Sequence, residues 1–285
     1  MHIAYDLHIH TNFSDGDYSP AEIITLARDK NIKGIALTDH DAVCRLPDSL
    51  PDDIDIHVGI EFSTSEQNVH ILGYGLDYTC RDLQLFLDHE QMKRRAVMID
   101  MVEKCRRQEL SISMDEVIAV KGEAEGALGR PHIAMVMIIK KYVGSIYEAF
   151  YKYLGTGKSC YTDYQKFTPE KIIEKIHHWN GIAVIAHPGA IKPPGRGKEA
   201  LMRVIDAGID GIEAYYPRHT SKKSQYYVYL AEKHNLLITG GSDFHGRFKK
   251  DIILCQAGVV HEYYREFQNA LHTKKQLICQ SRKGA

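Results

Sequence analysis

DLHIH (6–10), LTDH (37–40), GIE (59–61), VHILG (69–73), IAHPG (185–189) and GSDFH (241–245) decide the fold, because each sets His, Asp or Glu against an apolar run. Buried strands that end in ligand-type residues are what a parallel barrel shows when its C-terminal face carries a site. Six such segments in one chain imply a polynuclear metal centre, and centres of this kind commonly perform hydrolysis.

Between these segments the chain alternates strand and helix. HIAYDLHIH reads as a strand, the loop TNFSDGDYS follows, and Pro20 opens a helix over AEIITLARDK that Asn31 breaks. GIALTDH is a second buried strand, and IDIHVGIEFS pairs with NVHILGYGL as a hairpin across TSEQ. From about Arg81 to Gly155 the texture becomes helical: Met98, Met101, Val102 and Cys105 share one face. Ser113 with Glu116, and Ser145 with Glu148, match capping boxes, and Pro131 suits a first helical turn. The α/β rhythm returns with a helix from Thr168-Pro169 to Asn180-Gly181, then IAVIAH, GIDGIEAYY and LLITGGSD as strands. A further strand is expected over IILCQAGVV (252–260), followed by a terminal helix over HEYYREFQNALHTKK.

Composition narrows the partners. The net charge of −1 gives no general pull toward duplex nucleic acid or membrane, so any substrate phosphate needs a local site. Six cysteines without a CxxC pair read as reduced thiols, and no basic-plus-apolar leader or long apolar span is evident, so a cytoplasmic enzyme is expected.

The candidate ligands follow from strand geometry. His8 and His10 lie two apart and leave the same face of their strand, as do Asp243 and His245 of theirs. Asp15 sits in an Asp-Gly turn able to swing back to the same mouth. Asp39, beside His40, points to the opposite face and reads as structural. Glu61 closes a buried strand, which is costly for a carboxylate without a cation. His70 is within reach of it if the hairpin forms, and His187 ends its strand before Pro-Gly. Carboxylate oxygens mixed with imidazole suit Mn, Fe or Zn. Arg130, just before a helix start, could offer a forked guanidinium to phosphate, and Lys158 lies in the Gly-rich LGTGKSCY. The other histidines (among them His2 and His57) read as ordinary surface or helix residues, Tyr226, Tyr227 and Tyr229 as a helix packing face, and Met135 and Met137 as core.

In order and spacing these segments resemble the motif series of the PHP (polymerase and histidinol phosphatase) family from residue 3 to about 246, and GRPHIA (129–134) with LGTGKSCY (154–161) resembles its subgroup of small-molecule and nucleotide phosphoesterases. The resemblance implies a distorted (β/α)7 TIM-like barrel over 1–80 and 156–285, with a helical insertion over 81–155 that shapes the substrate pocket. It implies two to three divalent ions: one on His8, His10, Glu61 and Asp243; a second on bridging Glu61, His70 and His187; a third on Asp15, His40 and His245. His132 competes with His70 for its role. Three divalent ions against three carboxylates and one bridging hydroxide leave a surplus of two positive charges, matched to a phosphate dianion.

The implied reaction is attack of that hydroxide on a phosphate ester of a nucleotide, a small phosphorylated metabolite or a short single-stranded oligonucleotide, with no membrane and no obligate protein partner. Glu61, Asp243 and His245 are the catalytic candidates, and Arg130, Lys158, His132 and His219 the substrate-binding ones. Two alternatives stand beside it: an amidohydrolase-like hydrolase or deaminase, and a non-enzymatic metal-binding module.

Overall fold

The computed structural model describes residues 3–122, 124–191 and 196–283; His2 lies outside them. Seven strands form one sheet in sequence order: β1 (Tyr5–Ile9), β2 (Gly34–Leu37), β3 (Asp55–Ser63), β4 (His70–Tyr74), β5 (Ile182–Ile185), β6 (Gly211–Tyr215) and β7 (Leu237–Gly240). All neighbours are parallel except β4, which runs antiparallel to both β3 and β5. The segment after β7 returns to β1, where Asp243 N–H donates to the His8 carbonyl at 2.7 Å and His10 N–H to that of Phe244 at 3.0 Å. The sheet is thereby nearly closed into a barrel. That return needs Gly241, since a Cβ there would lie 2.3 Å from the Cβ of His8.

Helices cover the outside. α1 (Pro20–Asp29) starts at a reciprocal capping box between Ser19 and Glu22 and buries Ile23, Ile24 and Ala27 against Ile9, Ile35 and Leu37. α2 (Arg81–Arg107) spans both halves of the molecule. Its first turns bury Leu83, Phe86 and Leu87 with α6 (Pro169–His178) and Trp179. Its last turns bury Met98, Met101, Val102 and Cys105 in a separate core with α3 (Met114–Lys121), α4 (Arg130–Ile139) and α5 (Ile146–Ala149). Met137 packs in this second core, whereas Met135 is half-buried outside it. α7 (Arg196–Asp206) and α8 (Ser221–Lys233) flank β5 to β7; of the three α8 tyrosines Tyr227 is buried and Tyr226 and Tyr229 are exposed. α9 (His261–Lys283) packs Tyr264, Phe267 and Leu271 against Tyr5, Tyr74 and Ile182. Those residues begin β1 and β5 and end the reversed β4, so α9 closes the end of the barrel opposite the C-termini of the parallel strands.

Two local expectations fail. IILCQAGVV is no strand: it is a turning loop in which Cys255 takes φ 60° and Val259 forms an isolated bridge to Tyr5. The carboxylate of Asp6 captures the backbone N–H groups of Ser242 and Cys255, so they cannot serve a ladder. Its apolar side chains are buried in two different clusters, which a continuous apolar run does not reveal. At Ser145 the side chain caps Glu148 N–H, but Glu148 turns its carboxylate to Gly144 N–H and Lys152, so the box is half made. Cys44, Cys80, Cys105, Cys160 and Cys255 are free thiols; the side chain of Cys279 lies outside the described residues.

Gly241→Ala is expected to cost about 2–3 kcal/mol or more, read as a lower midpoint of denaturant unfolding, because backbone blocks the added methyl. His57, hydrogen-bonded to Tyr264, has its pKa pushed down to about 4 by burial, with Lys275 adding and Asp55 opposing. The fold prefers neutral His57, so its contribution is fully present above about pH 6.5 and is lost as pH falls toward 4. His57→Gln should flatten this acid limb, on the order of 2 kcal/mol after allowing for partial exposure.

Candidate metal centre

The strand ends deliver the candidate ligands to one mouth. His8 comes from β1, His10 and His40 follow β1 and β2, Glu61 lies near the end of β3, His187 follows β5, and Asp243 and His245 follow β7. His70 begins its strand instead of ending one. The reversal of β4, with His70 in register opposite Ser63, brings its first residue to the mouth where the other strands finish. The resulting residues are buried except His40 and His70, which are half-buried.

Glu61 is the meeting point. One oxygen, Oε2, lies 3.3 Å from His8 Nε2, 3.0 Å from His10 Nε2 and 3.2 Å from His40 Nδ1. The other, Oε1, lies 2.7 Å from His70 Nδ1 and 3.0 Å from His187 Nε2. Asp243 Oδ1 approaches His10 Nε2 at 3.4 Å and His8 Nε2 at 3.7 Å, while Asp15 Oδ1 is 3.3 Å from His245 Nε2 and 4.0 Å from His40 Nε2. Three sets of ligand atoms gather within 4.8 Å: His8, His10, Glu61 and Asp243; His10, Asp15, His40 and His245; and His40, Glu61 and His70.

The residues present fit divalent ions. Buried side-chain atoms without a hydrogen-bond partner include Asp15 Oδ1, His40 Nδ1, Glu61 Oε2, His187 Nδ1 and His245 Nε2, all of this cluster. Unpaired buried polar atoms are costly, and converging lone pairs of oxygen and imidazole nitrogen are what a divalent cation would satisfy. Burial holds the His40 pKa down to about 3, against the pull of Glu61 and Asp15, so its ring is neutral and able to ligate. Burial pushes Glu61 upward, but His40, His70 and His8 hold it well below the usual carboxylate range.

Supporting contacts orient these groups. Glu213, buried in the middle of β6, accepts from His8 Nδ1 at 3.0 Å and from the backbone N–H of His187 at 2.6 Å, which leaves His8 Nε2 to face the centre. Asp39 accepts from Thr11 N–H, Thr11 Oγ1 and Ser14 Oγ, the structural part expected of it. Lys249 donates to Asp243 Oδ2 at 2.6 Å and Tyr216 to the same oxygen at 3.2 Å, leaving Oδ1 toward the histidines. Asp41, the residue after His40, is bound by Arg94 of α2 at 2.8 Å, and Arg94 also donates to Ser63 Oγ and the Leu128 carbonyl. Asp41, His187 and Asp243 have φ of 47°, 31° and 55°, left-handed conformations that cost non-glycine residues about 1–3 kcal/mol and gather at functional sites.

Sequence reasoning missed Glu213, Lys249, Tyr216 and Arg94. Glu213 carried a usable signal, a carboxylate inside the buried strand GIEAY. The others had none: Lys249 lies in FKKD and Arg94 in MKRR, which read as solvated charge.

Substrate-side candidates divide. Arg130 opens α4 beside the centre, since a Cβ on Gly129 would lie 3.7 Å from Asp15 Oδ2. Its guanidinium sits 5.1 Å from the Phe150 ring and 5.6 Å from that of Tyr161, and among the described residues it donates one hydrogen bond, to the Leu154 carbonyl. Arg94, Arg130 and Lys166 line a cleft with Tyr161 and Tyr164 over an apolar floor of Met98 and Met101. Lys158 is exposed, 5.0 Å over the ring of Tyr151. His132 stands apart from the ligand sets, its Nδ1 bonded to Gly129 and its ring edge-on to Phe248. His219 has both ring nitrogens on backbone, Nδ1 at the Ala214 carbonyl and Nε2 at Gly189 N–H, so it braces the loop after His187 and turns no free nitrogen to a substrate.

A family model described as the PHP domain matches residues 6–173. The chain is 30% identical to a 3′,5′-nucleoside bisphosphate phosphatase of Chromobacterium violaceum, over 84% of this chain and 86% of the relative. It is 28% identical to the 5′-3′ exoribonuclease Rnm of Salmonella typhimurium, over 85% of each. A crystal structure from Bifidobacterium adolescentis, described as a candidate metal-dependent phosphoesterase, superposes with a TM-score of 0.81 at 25% identity, covering 93% of this chain and 96% of that one.

Metal analysis should show Glu61→Ala with less bound metal per chain than any single histidine variant of the cluster, and Glu213→Gln with metal affinity weaker by about 10–100-fold. His219→Ala should leave the metal content close to wild type.

Proposed function

The chain belongs to the PHP domain family, and we propose that it hydrolyses phosphate esters of nucleotides or related small phosphorylated metabolites at the cluster around Glu61. It is a metal-dependent phosphoesterase. The convergence of imidazoles and carboxylates on Glu61, beside a cleft that carries Arg130, carries this reading. His8, His10, Glu61 and Asp243 would hold one ion; Glu61, His70 and His187 a second; Asp15, His40 and His245 a third, with Mn, Fe or Zn suited to the donors. Divalent ions in such sites supply positive charge for phosphate oxygens and acidify water.

The chain's own groups do the rest. Glu213 fixes the tautomer of His8, and Lys249 with Tyr216 fixes the rotamer of Asp243. Arg130 is clamped between two rings with donors to spare, a preorganised partner for phosphate as charge shifts toward the leaving oxygen. Glu213 and Lys249, absent from the charge count made on sequence, have opposite signs and leave that count unchanged. Arg94, Lys166 and Thr162 stand with Arg130 in the same small cleft and make it suited to the phosphate end of a substrate. Among the described residues no helix is long and apolar enough to cross a membrane, and the free thiols support action in the cytoplasm.

The metal-loaded protein is expected to release inorganic phosphate or a nucleotide from bisphosphorylated nucleotides and short oligonucleotides, and a chelator should abolish this. Arg130→Ala should lower kcat/KM by about 10²-fold with metal content retained. Release of ammonia from amino-substituted substrates without phosphoester cleavage would overturn the reading in favour of a deaminase. Full metal occupancy with no turnover would favour a binding module.

A further inference from the structure

The 27-residue α2 turns a second apolar stripe away from both cores. Leu85, Met92 and Ile99 stand seven residues apart and are 55%, 71% and 50% exposed, with exposed Ala96 beside them. A spacing of seven keeps successive side chains within about 20° of one line along a helix, which makes a seam for pairing with another helix. The charges around this seam follow an order. Arg81 and Glu103 lie on it, four residues beyond Leu85 and Ile99, and Asp88 and Arg95 lie together on one side of it. Among the described residues the side chains of Arg81, Asp88 and Arg95 have no hydrogen bond or ion pair, and Glu103 reaches only Arg106 and Arg107, at 3.8 and 3.7 Å. The helix thus carries an exposed apolar seam and charges of both signs that its own chain leaves largely unanswered.

We infer that this face of α2 pairs with α2 of a second copy of the chain, antiparallel, about a twofold axis through Met92. Counting outward equally from that axis, Met92 meets its own copy and Leu85 meets the partner's Ile99. Arg81 comes level with the partner's Glu103, and Asp88 lies within one residue's rise of the partner's Arg95 on the same side of the seam. Symmetry makes each of these pairs twice, so the face is complementary to itself in shape and in charge. A parallel pair would set every charge at the level of its own copy, like against like, which selects the antiparallel arrangement. The net charge of −1 adds little repulsion between copies. At about 40 Å long, α2 and its copy would bury on the order of 1,000 Å², the low end for a specific interface, so the association is reversible and concentration-dependent. Arg94, Met98 and Met101, which line the cleft, sit on the other side of the helix. Both clefts therefore stay open in the pair, and the pairing does not depend on the reaction catalysed.

Sedimentation equilibrium of the full chain, from about 1 to about 200 µM, tests the pairing. The wild type should pass from monomer to dimer across this range. Met92→Lys sets two ammonium groups on the twofold axis and should raise the dissociation constant at least about tenfold. Asp88→Arg alone and Arg95→Glu alone should each do the same, since each opposes like charges twice. An equimolar mixture of these two variants restores both cross pairs and should associate within about threefold of the wild type. All three positions are exposed and the new residues are sound helix formers, so circular dichroism and metal content should match the wild type. A monomer at every concentration would overturn the inference and leave the seam to a different protein. A dimer indifferent to Met92→Lys would assign association to another face, and a mixture no better than its separate components would overturn the antiparallel register.

Discussion

A single carboxylate organises this molecule. Glu61 is buried to 1% exposure and has five imidazoles around its two oxygens, reached from β1, β4 and the segments after β2 and β5. A carboxylate at such depth is tolerable only among compensating groups, and imidazoles alone compensate weakly unless they are charged or share a cation. The barrel can therefore reach its lowest free energy only when several strand ends arrive together. Each of those ends is fixed by backbone hydrogen bonds of the sheet, so the site inherits its precision from the strands and its strain from the left-handed residues Asp41, His187 and Asp243.

Most of the barrel was readable because its candidate ligands interrupt apolar strands at a period of two. His8 and His10, Glu61, and Asp243 with His245 announced themselves in that way. His70 was readable through the hairpin alone, since it opens its strand, and the reversed direction of β4 is what makes the two readings agree. The supports were less legible. Glu213 could have been found by the reasoning used for Glu61, but Lys249 and Arg94 reach the site from segments whose local pattern is that of a solvated surface. The loop 252–260 misled because burial in two clusters produces the same apolar string as burial in one strand.

On the function proposed above, chemistry and selectivity would be divided between the two cores. The barrel supplies ligands with little room for variation. The helical core of α2 to α5 would supply Arg130 at the rim, and the loop that follows it Tyr161 and Tyr164. His219 shows the limit of motif reading: it lies next to the site in space yet spends both nitrogens on backbone. A histidine near a metal centre acquires a role from its hydrogen bonds and not from its proximity.

The ion pair of Arg94 and Asp41 joins these two halves. Arg94 belongs to the helix that enters both cores; it is half-buried, pairs with the buried Asp41 next to His40, and also donates to Ser63 in β3. Removing one member of such a pair strands the other charge at a cost of about 3–5 kcal/mol. The helical part is consequently no interchangeable module. Exchanging it with that of a relative would keep this latch only if the transplant carried an arginine in the same register of its first helix.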